Sequence, residues 1–356
     1  MTKKKLCPAC GKENAFSEIV GVCKDCLLKN FDELWQKIEL RHKEIRRTFG
    51  LPESAPKDSS GVQCKFCANE CRIPKGSSGL CGVRKSDGKT IAGGDKLGYL
   101  SHYFDPLPTN CVTQFCCAAS KENFSRLRRK AYNLAVFYAA CNFSCLFCQN
   151  WHYRRGLKRI QPITHEELAS SLNDKTYCIC YFGGDPTCQI AHSILASRDA
   201  MRIKPNIKIC WETNGSMNPR LLEATLKIAL KTGGTVKFDL KAYTESLHFA
   251  LCGTSNKRTL ENFLLAGKWF KLRKNPPLIA ASTPLVSGYV DQAEVKKIAQ
   301  FIASIDPDIP YSLLVFHPDF CMGDLAITSR DTALECYEIA KRIGLKRVNL
   351  GNIHLI

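Results

Sequence analysis

Short apolar runs recur along the rear of the chain, and stretches with helical spacing follow most of them. Six runs rich in β-branched and aromatic residues have the length of buried strands: 134–139, 177–182, 207–211, 235–239, 278–282 and 311–316. The five helical stretches are 187–202, 218–231, 257–274, 291–304 and 329–343. Strands and helices that alternate in this way form βα units around a parallel sheet. The pattern predicts an α/β fold, a partial (βα)6 TIM-like barrel.

The front of the chain follows a different pattern. Apolar residues from 27 to 49 share one helical face, and Gly50 and Pro52 end the pattern, so one amphipathic helix is predicted there. Proline, serine and charged residues then dominate a predicted linker. We divide the chain accordingly: a module at 1–50, the linker at 51–61, a cysteine-rich segment at 62–125 and the barrel at 126–356.

Composition and charge exclude several classes of protein. The 356 residues are 45% hydrophobic, which suffices for a large core and excludes disorder over most of the chain. No window reaches the roughly 18 apolar residues of a membrane span, and the basic start lacks the apolar run of a signal peptide. We therefore expect a cytoplasmic protein with no membrane partner. The 51 Lys and Arg against 33 Asp and Glu give a net charge of +18, which leaves an acidic partner open.

Cysteine is the most unusual component. There are 21 cysteines, and 14 of them precede residue 150. Intracellular thiols are kept reduced, and an odd number cannot be fully paired within one chain. The cysteines therefore predict metal sites or catalysis rather than a disulfide framework.

The first cysteine group consists of two Cys-x2-Cys pairs, Cys7 with Cys10 and Cys23 with Cys26. Two such turns can offer four thiolates to one tetrahedral Zn²⁺, so a zinc-ribbon-like module is predicted. An iron–sulfur or rubredoxin-like iron site is the alternative. Because so short a module has almost no core, metal binding would supply much of its folding free energy.

The second group, Cys64, Cys67, Cys71 and Cys81, opens a glycine-rich segment. Four cysteines within eighteen residues predict a second metal site, and both Zn²⁺ and an additional iron–sulfur cluster accept four cysteines. Three further cysteines could join this site, form a separate one or be buried thiols: Cys111, Cys116 and Cys117.

The third group follows the first predicted barrel strand as Cys141-x3-Cys145-x2-Cys148. Three cysteines in a loop can hold three corners of a [4Fe–4S] cluster and leave the fourth iron open. That iron can chelate the amino and carboxylate groups of S-adenosylmethionine (SAM), so that one electron cleaves the sulfonium and yields a 5′-deoxyadenosyl radical. These three cysteines are the candidate catalytic residues.

Polar and glycine residues stand at the carboxyl ends of the later predicted strands, where parallel α/β folds bind ligands. They are Gly183, Gly184, Asp185, Glu212, Thr213, Asn214, Asp239, Lys241 and His317, and the apolar Val286 follows the fifth predicted strand. Glycine allows backbone groups to approach a ligand closely. Alternatively, Gly-Gly-Asp-Pro is only a turn and His317 a core histidine, but the recurrence at five strand ends favours a binding face.

The cluster loop resembles that of the radical SAM superfamily, including the aromatic Phe147 before its last cysteine. Cys148-Gln149-Asn150 and the strand end at 183–186 are similar to the pyruvate formate-lyase activating enzyme branch, especially to AmmeMemoRadiSam-type proteins. The region ending Cys81-Gly-Val-Arg also resembles the latter. The N-terminal module lies outside the activase pattern, and the ferredoxin-like cysteine insertion of some activases is absent.

The resemblance implies roles for the strand-end residues. Gly183, Gly184 and Asp185 would receive the SAM amino group. The carboxylate and ribose, sometimes with a monovalent cation, would lie near Glu212, Thr213, Asn214, Asp239 and Lys241. Val286 falls in the segment that resembles the family's loop near adenine.

These features predict a radical SAM enzyme that abstracts hydrogen from a macromolecule, most readily a protein, with electrons from a one-electron donor such as ferredoxin or flavodoxin. Basic clusters at 126–130, 154–159 and 268–274 leave an RNA-modifying enzyme as an alternative. A non-enzymatic multi-zinc scaffold or nucleic-acid-binding protein is the second alternative, but it does not account for the barrel.

Overall fold

The computed structural model describes residues 4–109, 111–120 and 131–356. Its strands are β1 Lys5–Leu6, β2 Glu13–Asn14, β3 Val62–Gln63, β4 Arg72–Ile73, β5 Lys85–Ser86, β6 Ile91–Ala92, β7 Leu97–Gly98, β8 Leu100–Pro106, β9 Tyr132–Tyr138, β10 Ile163–Thr164, β11 Thr176–Gly183, β12 Lys208–Thr213, β13 Val236–Asp239, β14 Ile279–Leu285, β15 Tyr311–Val315 and β16 Val348–Gly351. Its α-helices are α1 Lys24–Lys29, α2 Phe31–Thr48, α3 Tyr153–Gly156, α4 His165–Ser170, α5 Ile190–Ile203, α6 Pro219–Thr232, α7 Glu245–Cys252, α8 Lys257–Phe270, α9 Gln292–Ile305 and α10 Arg330–Arg342.

One eight-stranded sheet organises the barrel, in the order β8-β9-β11-β12-β13-β14-β15-β16. The seven strands from β9 to β16 are parallel to their neighbours, and β8 runs antiparallel to β9. The predicted α/β fold and its six strands are confirmed. The two additional strands are the outermost ones, which lie half open to solvent and lack the continuous apolar run of a buried parallel strand.

The barrel core lies between the sheet and its helices, and local sequence fixes where the helices begin and end. In α6, Asn218 caps the amino end by accepting from the Arg220 amide, Pro219 takes the first turn, and Gly233 ends the helix at φ +76°. Side chains pointing outward from the strands, such as Tyr181 and Trp211, stack at 5.3 Å beneath the helices. The opposite face of the strands is left to line the interior.

The predicted single helix at the front is instead two helices, α1 and α2, which meet at Asn30. Asn30 leaves the helical conformation at φ −118° and ψ 31°, and its amide closes α1 by donating to the Cys26 carbonyl. The break lets the short α1 carry Cys26 toward Cys7 while α2 takes its own direction.

The N-terminal module packs against the barrel. The Tyr289 hydroxyl accepts from the Ser17 amide and donates to the Val22 carbonyl, both at 3.0 Å. The Lys24 ammonium pairs with Asp291 at 2.5 Å. Further along, the Trp35 ring of α2 lies 4.1 Å from the Phe249 ring of α7. The module is therefore joined to the barrel by apolar, hydrogen-bonded and ionic contacts.

The segment predicted as a linker is held at both ends. Arg46 donates from Nε to the Pro52 carbonyl at 2.6 Å, and Arg72 donates to the carbonyls of Asp58 and Ser59 at 3.1 and 2.8 Å. Within the described part of the chain, no helix is long and apolar enough to cross a membrane.

Candidate active site at the strand ends

A cavity of about 500 Å³ opens at the carboxyl ends of the barrel strands. Its volume falls in the range of small-molecule sites. Eleven of the predicted site residues line it: Cys141, Cys145, Phe147, Cys148, Gly183, Gly184, Asp185, Glu212, Asn214, Asp239 and Lys241. The fold thus brings the cysteine loop and the ends of β11, β12 and β13 to one place.

The cysteine loop is fixed by backbone hydrogen bonds from the residues that lie between its cysteines. The Ser144 amide donates to the Cys252 carbonyl at 2.8 Å, and the Leu146 amide donates to the Leu251 carbonyl at 2.9 Å. The Leu146 carbonyl in turn accepts from the Cys321 amide at 2.9 Å. The end of α7 and the turn at 320–322 therefore set the conformation of the loop.

The sulfur atoms of this loop occupy different surroundings. Cys141 Sγ accepts from the Phe143 amide at 3.3 Å and lies 3.9 Å from Asn214 Nδ2. Burial raises the pKa of the Cys148 thiol to about 11 and that of Cys141 well above its usual value. A hydrogen bond with Cys252 lowers the pKa of Cys145. A bound cation would be needed to hold all three as thiolates.

Gly183 and Gly184 let the end of β11 press against the start of the cysteine loop. Gly183 has φ +109°, and a Cβ there would lie 2.2 Å from the Tyr138 nitrogen. A Cβ on Gly184 would lie 2.3 Å from the Ala140 carbonyl oxygen. The two glycines are therefore required for close backbone packing, in addition to facing the cavity.

Asp185 organises the neighbouring strand end. Its carboxylate accepts from the Thr187 amide at 2.8 Å, the Thr213 hydroxyl at 3.0 Å and the Asn214 amide at 2.6 Å. Thr213 does not line the cavity; it holds Asp185 from below. Three of the predicted ligand-binding residues thus form a rigid support through their own hydrogen bonds.

Charged groups from β12 and β13 line the cavity. The Lys241 ammonium donates to Asp239 at 2.8 Å, and the Ser282 hydroxyl donates to the other Asp239 oxygen at 2.7 Å. Glu212 Oε2 has no hydrogen-bond partner among the described residues, although the ammonium of Lys237 is 3.7 Å away. Burial raises the pKa of Glu212 to about 8. The buried Oε2 of Glu212 therefore faces Lys237, while the residue itself lines the cavity.

Besides Thr213, two predicted residues lie outside the cavity lining. Val286 is fully buried in the core, and the neighbouring Pro284 lines the cavity instead. His317 is exposed, and Phe316 lines the cavity in its place. The side chain of His317 therefore does not reach the site in this conformation.

The structure adds lining residues that sequence reasoning missed. Tyr103 and Asp105 come from β8, and Asn352 follows β16, so both edges of the open sheet contribute. The Tyr103 ring stacks on Phe137 at 5.7 Å. Edge strands carry no βα signal, which is why these residues escaped prediction.

The first cysteine group is assembled. The sulfur atoms of Cys7, Cys10, Cys23 and Cys26 all lie within 4.8 Å of one another, and those of Cys7 and Cys26 are 3.9 Å apart. A tetrahedron with Zn–S bonds of about 2.3 Å has sulfur atoms about 3.8 Å apart. The four side chains thus fit a tetrahedral metal ion.

The second cysteine group is not assembled in the same way. The sulfur atoms of its four described cysteines do not all lie within 4.8 Å of one another, as those of the first group do. Cys64 and Cys71 pack together with Ile73 and Leu80, whereas the Cys81 thiol hydrogen-bonds with Cys188. The segment lies beside the cluster loop, since Asn69 Nδ2 donates to the Asn142 carbonyl at 2.8 Å.

The remaining front cysteines lie apart from that segment. Cys111 Sγ is 3.3 Å from the Lys237 ammonium, and Cys111 and Cys117 line a small cavity with Cys180 and Cys210 of the sheet. The basic run at 126–130 lies outside the described residues.

Comparisons with known proteins agree with this geometry. The sequence pattern of the radical SAM superfamily matches residues 135–302. A Methanocaldococcus jannaschii protein provisionally named a glycyl-radical enzyme activating enzyme is 27% identical, over 49% of this chain and 63% of its own length. An uncharacterized protein of the same organism is 24% identical over 83% of both chains. The pyruvate formate-lyase 1-activating enzyme of Escherichia coli K12 is 30% identical over 35% of this chain and 52% of its own.

Two of these three relatives are therefore matched over less than two thirds of their own length. The matched superfamily region contains the cysteine loop and the strand ends from β11 to β14 that surround the cavity. Residues 135–302 are thus similar to the radical SAM superfamily.

Proposed function

We propose that this protein is a radical SAM enzyme in which Cys141, Cys145 and Cys148 hold a [4Fe–4S] cluster and the adjoining cavity binds SAM. The observation that carries the proposal is the position of the three thiols, which open onto one cavity with the polar ends of three parallel strands. When bound, the cluster and SAM supply a 5′-deoxyadenosyl radical that can abstract hydrogen from a substrate.

The chain's own residues fit this chemistry. The Phe143 amide and Asn214 Nδ2 face Cys141 Sγ and would stabilise negative charge on that sulfur. Glu212 lines the cavity and would meet a ribose hydroxyl or an ammonium group, and the Lys241 ammonium offers a cation to a carboxylate. Asp185 keeps the end of β11 in place through hydrogen bonds within the protein, so its role is to support the site and not to bind SAM directly.

Aromatic rings would shield the reaction from water. Tyr103, Phe137 and Phe182 form a continuous stack along one wall, with centroid separations of 5.7 and 5.5 Å. A reactive radical requires such exclusion of solvent and of competing hydrogen donors.

We propose a protein as the substrate. Tyr103 is half exposed and Asn352 lies at the opposite sheet edge, so the cavity can be reached from the side between β8 and β16. Two of the relatives are named as activators of glycyl-radical enzymes or of pyruvate formate-lyase, which are proteins. The RNA alternative is weakened because Arg154, in one basic cluster, is buried and Lys274, in another, pairs with Asp306 and Asp308.

We further propose that the four assembled cysteines of the N-terminal module bind Zn²⁺. An iron–sulfur cluster or zinc in the Cys64 to Cys81 segment and a monovalent cation near Asp239 remain proposals that metal counting on the intact protein would test. The electron donor would be a small carrier such as ferredoxin or flavodoxin.

The central experiment is anaerobic reconstitution with iron and sulfide, followed by addition of SAM and dithionite. We expect 5′-deoxyadenosine from the wild type and from Cys336→Ala, a variant that removes a buried thiol far from the cavity. The triple variant of Cys141, Cys145 and Cys148 to Ala should give none. A reconstituted wild type that forms no 5′-deoxyadenosine would refute the proposed function.

The substrate class has its own test. Addition of an extract of the source cells should stimulate 5′-deoxyadenosine formation, and treatment of the extract with protease should abolish this stimulation. Loss of the stimulation after RNase treatment instead would favour the RNA alternative.

A further inference from the structure

Arg154 is a buried cation without a hydrogen-bonding partner. It lies in α3, directly after the cysteine loop, and is only 2% exposed. None of its three guanidinium nitrogens has a hydrogen-bond partner among the described residues, and no described carboxylate forms an ion pair with it. A buried charge is costly unless it is compensated, so this guanidinium requires an anion that the protein side chains do not provide.

Another arginine with the same burial shows that this situation is specific to Arg154. Arg46 is also 2% exposed, but it donates to the carbonyls of Pro52 and Leu80. The buried guanidinium of Arg46 is therefore accompanied by acceptors, whereas that of Arg154 is not.

Three aromatic rings lie close to the Arg154 guanidinium. Its Cζ lies 5.0 Å from the centre of the Phe320 ring, 5.3 Å from that of Tyr153 and 5.8 Å from that of Phe49. These rings exclude water and provide a weak cation–π attraction, but they do not accept five N–H groups.

The cysteine loop lies beside the same rings. The Phe320 ring is 5.0 Å from the Arg154 Cζ, and the next residue, Cys321, donates its amide to the Leu146 carbonyl between Cys145 and Cys148 at 2.9 Å. Tyr153, the residue before Arg154, lines the cavity together with the three cysteines. The missing anion is thus to be sought at the three sulfur atoms and the group that they bind.

We propose that Arg154 is a positioning residue that supplies the counter-charge to the iron–sulfur cluster and raises its reduction potential; this inference rests on the proposed function. Three thiolates around a [4Fe–4S]²⁺ cluster carry a total charge of −1, and uptake of one electron from the donor makes it −2. The fixed positive charge stabilises the reduced form more than the oxidised form. Because the site is shielded from water, this preference is only weakly screened.

The test is a redox titration of the reconstituted protein, followed by the electron paramagnetic resonance signal of the reduced cluster. Arg154→Met keeps an apolar side chain among the rings and removes the charge, and Arg154→Lys keeps the charge. We expect reduction of Arg154→Met to be at least tenfold less favourable, a fall of at least about 59 mV for a one-electron couple. Arg154→Lys should remain closer to the wild type than to Arg154→Met.

The matched control is Arg155→Met, which removes the same charge from the next residue, where the side chain is exposed. Its potential should stay near that of the wild type because solvent screens the charge. An unchanged potential in Arg154→Met, or an equal fall in Arg154→Lys, would overturn the inference.

Iron content separates the remaining outcomes. If Arg154→Met loses its iron while Arg154→Lys retains iron at the wild-type potential, a positive charge is needed to hold the cluster, which supports the inference. If both variants lose iron, the shape of arginine rather than its charge is required, and the inference is wrong. A wild type with no reducible cluster would refute the proposed function itself, and the inference with it.

Discussion

Replacing Tyr289 by Phe should loosen the N-terminal module from the barrel. Tyr289 is fully buried, and its hydroxyl joins two backbone groups of the module, the Ser17 amide and the Val22 carbonyl, each at 3.0 Å. Phe keeps the ring and the packing around it. The substitution therefore removes only the hydroxyl and leaves one donor and one acceptor unsatisfied at the interface.

The structure sets the size of the effect. A buried polar group that loses its partner costs about 1–3 kcal/mol, so two such groups should cost about 2–6 kcal/mol of docking free energy. Every 1.4 kcal/mol is about a tenfold change in an equilibrium constant. Because Phe16, Val20 and Val22 of the module pack into the barrel core, the module's own fold depends on docking. We therefore expect its metal affinity to fall at least about tenfold.

The assay is competition for zinc with a chromogenic chelator on the intact protein, together with chemical denaturation. Tyr311→Phe is the matched control, because Tyr311 is also fully buried and its hydroxyl donates to Thr283 within the barrel at 2.9 Å. The control should lose barrel stability but keep its zinc affinity. Equal zinc affinities for Tyr289→Phe and the wild type would show that the module does not depend on this contact.

Three further predictions concern pH, packing and the strand-end support. Burial lowers the pKa of His42 from 6.5 to about 4, so between these pH values the unfolded chain binds a proton that the folded protein does not. His42 should therefore contribute up to about 3 kcal/mol to the loss of stability as pH drops from 6.5 to 4, in addition to the losses from His192 and His248, whose pKa values burial also lowers to about 4. The fall in urea denaturation midpoints should be smaller in His42→Gln by the His42 contribution. Gly184→Ala would place a methyl group 2.3 Å from the Ala140 carbonyl oxygen, at the start of the cysteine loop. The reconstituted Gly184→Ala protein should therefore retain much less iron than the control Gly323→Ala, whose added methyl group would have nothing within 4 Å. Equal iron content in the two variants would contradict the packing argument. Asp185→Ala removes three hydrogen bonds to a buried carboxylate, so the free energy of unfolding should fall by about 3 kcal/mol in thermal or chemical denaturation. SAM binding, measured by equilibrium dialysis, should weaken as well. A fall below about 0.5 kcal/mol would show that this support is dispensable.

The sequence was sufficient for the parallel part of the fold because buried parallel strands are marked by continuous apolar runs. Predicted strand 177–182 corresponds to Thr176–Gly183, and predicted strand 207–211 to Lys208–Thr213. The candidate site followed from the same pattern, since the carboxyl ends of parallel strands share one edge. This is why residues as distant in sequence as Asp185 and Lys241 could be assigned to one cavity.

The unpredicted parts depend on contacts that a linear pattern does not contain. The antiparallel β8 brings Tyr103 and Asp105 to the cavity through pairing with β9. Lys237 is a buried residue of β13, only 1% exposed, but a charged side chain does not predict a buried position. Whether a strand-end carboxylate binds a ligand or its own backbone, as Asp185 does, is decided by tertiary hydrogen bonds.

The N-terminal module shows how separation along the sequence can differ from separation in space. It precedes the superfamily region by more than eighty residues, yet Ser17 and Val22 bond to Tyr289 in the segment after β14. At the other end of the module, Phe49 lies against Trp151, Phe320 and the buried Arg154 beside the cysteine loop. Since the Cys321 amide of the turn at 320–322 also donates to the Leu146 carbonyl of the cysteine loop, the module contacts two of the elements that shape the cavity entrance and the loop. The module therefore packs against the part of the chain that forms the cavity and cannot be treated as an independent appendage.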